Sequence, residues 1–205
     1  MHPLSAPEAR RLLETAQGDR LEALYVLAVH TGMRRGELLG LKWEDVDLDG
    51  LVIRVRRTLT HTENGRKLTL GEPKTKKSRR TVRLTPRRRG PAAPPGASGG
   101  GEAEGRCRLR NQDLVFAGEA GNLINPSNLR QRSFAPLLRR AGLPQITFHD
   151  LRHTCASLLF QRNVHPKFVQ ELLGHASVAI TLDTYSHMLP GMGGEAADAM
   201  GEALG

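Results

Sequence analysis

Apolar positions recur at helical spacing from the start of the chain. In SAPEARRLLETA, residues Leu12, Leu13 and Ala16 follow Ser5 and Glu8 at capping-box separation, with Pro7 in the first turn. The next run, RLEALYVLAVHTG, is apolar on most faces, which predicts a buried helix ended by Gly32. RRGELLGLKWEDV reads as a short third helix running into a turn. The period then changes. DLDGLVIRVRRTL turns at Asp49-Gly50 into a strand, and RRTVRL at 79–84 is another. A polar stretch ending in PKTKKS separates them, so a small basic β-hairpin or three-stranded sheet is expected.

No period survives in residues 86–105, where ten of twenty residues are Pro or Gly. That composition predicts a disordered insert. Order resumes with a short strand from Leu114 to Phe116 and a helix that starts near Pro126 to Asn128 and ends at Ala141-Gly142. HDLRHTCASLLFQR is the next helix. PKFVQELLG follows, opened by Pro166 and closed by Gly174, and SVAITLDTYSHM is the last of the series. The tail GMGGEAADAMGEALG begins with glycines and has the makings of a short terminal helix. No internal repeat is present. The expected fold is mainly α with a small antiparallel β-sheet.

Composition narrows the function. Hydrophobic residues make up 39% and aromatics 4%, so the core must be built chiefly from Leu, Val, Ile and Ala. The net charge of +9 points to a polyanionic partner, nucleic acid above all, or to a solvated basic surface. Cys107 and Cys155 form no CxxC and no ligand-like pattern, which suits a reducing compartment. MHPLSAPEARR carries no apolar leader core, and no run is long enough for a membrane span. A soluble intracellular chain is expected.

His149 and His153 in TFHDLRHT stand four apart, so they share a helix face. A zinc hydrolase helix needs a glutamate directly after its first histidine. Asp150 occupies that place, and the fixed cation of Arg152 disfavours a metal between the imidazoles. No metal and no cofactor are expected. His153 has the simpler reading of a histidine hydrogen-bonded in a helical core. Phosphate fits better, because arginine presents a planar fork that matches two phosphate oxygens. Further basic and nucleophilic groups occur in TGMRRGELLGLKWEDVD, EPKTKKSRRTVRL and LLGHASVAITLDTYSHM. Each is weak alone; the four in this order are specific.

Together these segments resemble the catalytic domain of tyrosine recombinases, the phage-type integrases, over about residues 4–190 with a gap at 86–110. The resemblance implies the DNA breaking-rejoining enzyme fold. Arg34, after TGM, matches the family's first catalytic arginine, while Arg35 is left to the surface. Lys74 in EPKTK best matches the hairpin lysine, with Lys76 and Lys77 close by. His149 and Arg152 match the His-x-x-Arg pair, His175 the last histidine and Tyr185 the nucleophile. Glu37 matches an acidic support near Arg34. Tyr25, the second of two tyrosines, lies inside the predicted buried helix.

In such a site the arginines and His175 would hold the phosphate, His149 would accept the tyrosine proton or orient the phosphate, and Lys74 would protonate the leaving 5′ oxygen. A 3′-phosphotyrosyl adduct stores the bond energy, so neither ATP nor a metal is required. The implied partners are double-stranded DNA, other recombinase protomers in a synaptic complex, and accessory DNA-bending or directionality proteins. The implied location is the cytoplasm of a bacterium, on the nucleoid, with a bacterial or phage gene as source.

The whole chain, 1–205, reads as one catalytic domain, with 86–110 as an atypical insert and 191–205 as a C-terminal tail suited to docking on a neighbouring protomer. The sequence departs from the family's pattern twice. It begins almost where the catalytic domain begins, so the N-terminal core-binding domain is expected to be absent and DNA would be held from one side. The family would also place a helix after the strand ending near Leu84. Residues 87–110 there have either the composition of a frame-shifted or degenerate stretch or that of a tolerated surface loop. Two other readings therefore stand beside the recombinase: a remnant that binds DNA without recombining it, and a type IB-like nicking and relaxing enzyme.

Overall fold

The computed structural model describes residues 2–62, 67–72, 78–84, 113–185 and 200–204. α1 (Ala6–Thr15) starts where the sequence places it, with Ser5 N–H donating to Glu8 Oε2 at 2.8 Å in a capping box. α2 (Glu22–Thr31) buries Leu24, Tyr25, Ala28 and Val29, and ends on Gly32 at φ 59°. α3 (Arg35–Leu39) and a 3₁₀ turn (Trp43–Asp45) lead into the sheets.

β1 (Val46–Asp47), β2 (Val52–Val55) and β5 (Arg80–Arg83) form an antiparallel sheet in the order β1-β2-β5, with Ile53 opposite both Val46 and Val82. The β1–β2 turn keeps Gly50 N–H on the Asp47 carboxylate at 2.7 Å, while the left-handed residue is Leu51 at φ 51°. The stretch read as polar supplies a second, two-stranded sheet, β3 (Thr58–His61) and β4 (Leu68–Gly71). Its cross-strand pair Leu59–Leu70 is the apolar contact that holds it to the core.

The strand expected at Leu114 to Phe116 does not form. Leu114 makes a lone bridge to Lys42, and Leu114 and Phe116 are buried as core side chains of a loop. A short apolar run flanked by turns packs equally well as strand or loop. The helix expected from Pro126 is helical throughout but changes register: α4 (Pro126–Asn128), a π segment (Leu129–Phe134) and α5 (Ala135–Arg140). Ala135 N–H reaches Arg130 O, five residues back, just before Pro136, whose nitrogen has no proton to continue the α ladder.

α6 (Asp150–Phe160) runs through the middle of the molecule and is buried on nearly every face, packing against α2. α7 (Pro166–Leu173) ends on left-handed Gly174 and packs on β5, α6 and α8 (Val178–Tyr185). The main core joins α1 to α5 and both sheets to the first turn of α6. A second cluster gathers Ala156, Phe160, Val169, Leu173 and Tyr185. Residues 200–204 are helical and exposed. Lys74, Lys76, Lys77, Cys107, the insert at 86–110 and the rest of the 191–205 tail lie outside the described residues. Among the described residues no helix is long and apolar enough to cross a membrane.

Candidate active site

The site forms where the two core clusters meet. Its first support is the turn after α2. Gly32 takes a left-handed conformation there, and its carbonyl accepts Arg152 Nη1 at 2.7 Å. Arg34, two residues on, is thereby brought beside Arg152. Arg152 is 3% exposed, and its Nη2 is buried with no hydrogen-bond partner among the described residues. One edge of the guanidinium is thus fixed and the other is free for an acceptor. Burial, then the neighbouring charges of Arg34 and Arg80, push Arg152 down to about 10. A desolvated cation in that company is stabilised by an incoming anion.

Glu37 is the second support. Its carboxylate accepts Arg34 N–H at 2.8 Å and Arg34 Nη1 at 2.9 Å. It also accepts Arg80 Nη1 at 3.1 Å and Nη2 at 3.0 Å. Arg80 continues to the Leu172 carbonyl through Nε at 2.6 Å, tying β5 to α7. The side chains of Arg80 and Glu37 are 7% and 2% exposed, so this is a buried fork-to-fork pair. Burial works against the Glu37 carboxylate, but Arg80 and Arg34 hold it below its usual range. Arg35 is exposed.

The start of α6 supplies three site residues, His149 at its N-cap and Arg152 and His153 in its first turn. Its start is fixed by Thr147, whose N–H and Oγ1 donate to Asp150 Oδ2 at 2.8 and 2.7 Å. His149 and His153 then meet edge to face, with ring centroids 4.9 Å apart. His153 Nδ1 lies 2.7 Å from Tyr185 Oη. Desolvation, followed by the charges of Arg152 and Arg34, lowers His149. His175, on the turn after α7, engages Thr181 Oγ1 through Nδ1 at 2.8 Å, which leaves Nε2 as its other polar atom. Burial and the charges of Arg152 and Arg34 push it down to about 4. Tyr185 is 2% exposed, packs on Phe160, and is pushed up to about 12 by burial.

Arg34, His149, Arg152, His175 and Tyr185 therefore converge, although they come from four separate stretches of chain. Lys74 lies outside the described residues. Two further residues join them: Arg80, which the sequence does not single out, and His153, to which the resemblance assigns no role. Arg80 sits in a run of four basic residues, 76, 77, 79 and 80, and nothing local separates a buried arginine from its solvated neighbours. His153 was readable as a core histidine; its partner, 32 residues away, is what changes its meaning. Tyr25 is fully buried, bonded to Ser133 Oγ at 2.6 Å and stacked on Phe134, away from this constellation. Among the described residues no cluster of three or more His, Cys, Asp or Glu forms a metal-ligand set.

The sequence model described as the phage integrase family matches residues 3–191. A tyrosine recombinase XerC-like protein of Caldanaerobacter subterraneus subsp. tengcongensis is 39% identical over 91% of this chain and 50% of its own length. The prophage integrase IntR of Escherichia coli K12 is 29% identical over 94% of this chain and 49% of its own. The chain thus spans about half the length of the curated relatives it matches. The XerA recombinase has the same fold, with a TM-score of 0.64 and 27% identity over 93% of this chain and 65% of that one.

Proposed function

The chain belongs to the phage integrase family, and from that premise we propose that it cuts and rejoins DNA at specific sites through a 3′-phosphotyrosyl intermediate, with Tyr185 as nucleophile. The observation that carries this reading is the buried, half-unpartnered guanidinium of Arg152, 3% exposed, beside Arg34 and within electrostatic reach of His175 and Tyr185. A buried cationic donor with no acceptor is costly unless a ligand completes it. A scissile phosphodiester supplies the charge and geometry it lacks.

Arg34 and Arg152 clamp the non-bridging oxygens and His175 donates a further hydrogen bond as charge develops in the attack. His149, exposed beside Arg152, orients the phosphate. Lys74 protonates the leaving 5′ oxygen. Attack by the 5′ hydroxyl of another strand then releases Tyr185 and reseals the DNA. Double-stranded DNA and further protomers in a synaptic complex are the proposed partners, with accessory DNA-bending or directionality proteins, in a bacterial cytoplasm at the nucleoid.

The test is an SDS-resistant protein–DNA adduct on nicked DNA from the junctions flanking the gene's own element. Wild-type chain is expected to form it and Tyr185→Phe to form none. Salt-sensitive binding without any adduct would contradict strand cleavage and leave a DNA-binding remnant. An adduct that relaxes supercoiled DNA but never exchanges strands would point to nicking and relaxing instead.

A further inference from the structure

We propose that His153 is the base of the cleavage step: its Nδ1 holds the Tyr185 hydroxyl and takes its proton as Oη attacks phosphorus. The inference rests on Tyr185 being the nucleophile, as proposed above, and adds a group to which the family resemblance gives no role.

The geometry makes the case. Nδ1 and Oη are 2.7 Å apart, with ring centroids 5.6 Å apart and planes tilted by 54°. Both residues are buried, so bulk water is not at hand to take the phenolic proton. The ring and its backbone each have a further contact. His149 meets it edge to face one helical turn away, and the His153 carbonyl is fixed by Ser157 Oγ at 2.7 Å. The remaining face of Tyr185 lies on Phe160, so the hydroxyl is aimed at His153 by packing as well as by the bond.

The charged neighbours favour the acceptor form. Burial, then His149, lowers His153, with Arg152 acting in the same direction and Asp150 against it. From the other side His175 and Tyr185 face it. A neutral ring carrying its proton on Nε2 presents Nδ1 as the acceptor that a tyrosine O–H needs.

The step balances. The Oη–P bond forms as P–O5′ breaks, the phenolic proton passes to Nδ1, and the 5′ oxygen takes a proton from the acid assigned to Lys74. On resealing, the 5′ hydroxyl returns its proton to that same group as O5′ attacks phosphorus, the Oη–P bond breaks, and the departing phenolate recovers its proton from His153.

Two measurements test this. The first is the single-turnover rate of adduct formation on the same nicked junction DNA, with sulfur replacing the bridging 5′ oxygen so that the leaving group needs no acid. His153→Gln keeps a hydrogen-bond acceptor but no base. It is expected to be slowed about 10²-fold at pH 7, the gap narrowing as pH rises towards the ionisation of the tyrosine itself. A His153→Gln rate equal to wild type, or faster because a parked tyrosine has been released, would overturn the proposal. The second needs no DNA: ¹⁵N NMR of the histidine rings. The proton should sit on Nε2 of His153, and Tyr185→Phe should shift the Nδ1 resonance. A His153 ring indifferent to Tyr185→Phe would also overturn it. A wild-type chain that shows the bond by NMR yet forms no adduct would instead refute the cleavage reading, and the proton transfer with it.

Discussion

Arg152 makes one bond and leaves one edge of its fork open. Lysine cannot do both, because its ammonium is a single point charge. Arg152→Lys is therefore predicted to slow adduct formation about 10²- to 10³-fold, read by single-turnover kinetics, while DNA binding falls far less. His175 gives a pH prediction. Its pKa is pushed down to about 4, against an ordinary value of 6.5. Between those values the unfolded chain holds a proton that the folded one refuses. Stability should then fall as pH drops from 6.5 to about 4, level off below, and stay constant above 6.5 as far as this group is concerned. Melting curves should show this dependence weakened in His175→Gln. At this scale the sequence shows the arginines, His175 and Tyr185 because each sits in a distinctive string. It shows His153 too, but not its partner Tyr185, which is brought near only by the packing of α8 on α6.

Three elements meet at Glu37. Arg34 precedes α3, Arg80 comes from β5, and Arg80 also holds the end of α7. Removing one partner of a buried ion pair leaves the other charge stranded. Glu37→Gln is predicted to cost about 3 kcal/mol, measured by urea unfolding, and to loosen Arg34. Gly32 is a second joint. It needs a positive φ, and a Cβ there would come within 2.5 Å of Leu173 Cδ2 and 3.4 Å of Cys155. Gly32→Ala should therefore cost more than the ~1 kcal/mol of backbone strain alone, and adduct formation should drop with it, because the carbonyl that holds Arg152 moves. Helices were plain in the sequence, since caps and apolar faces are local properties: Ser5–Glu8, Gly32, Pro166 and Gly174 mark their ends. The π segment and the β3–β4 sheet were not. One follows from a single proline nitrogen inside a helix, and the other from two leucines that meet only across strands.

Over the whole molecule, the charge of +9 has a place to act. The groove between the two sheets is lined by Lys42, Arg54, Arg56, Arg57, Arg79 and Arg80. Asp45 pairs with Arg56 and Arg57, Glu44 with Arg57, Glu72 with Arg79 and Glu37 with Arg80, so much of the lining is paired within the chain. Arg54 has only a 4.0 Å contact to Asp47 and is half-exposed. Arg54→Ala should weaken DNA binding evenly across sequences and reduce the slope of log K against log salt by about 0.9, with little change in melting temperature. The basic composition announced a polyanion; the groove that would receive it depends on how the β3–β4 hairpin stands against the first sheet.

The proposed chemistry passes through one atom, Tyr185 Oη, and the most direct measurement is to find where DNA becomes attached. The adduct formed on nicked junction DNA would be digested and the nucleotide-bearing peptide identified by mass spectrometry. The predicted result is a 3′-phosphonucleotide on Tyr185, with Tyr25 unmodified in its buried helix. A nucleotide on Tyr25 or on any other residue, or the same adduct from Tyr185→Phe, would contradict it.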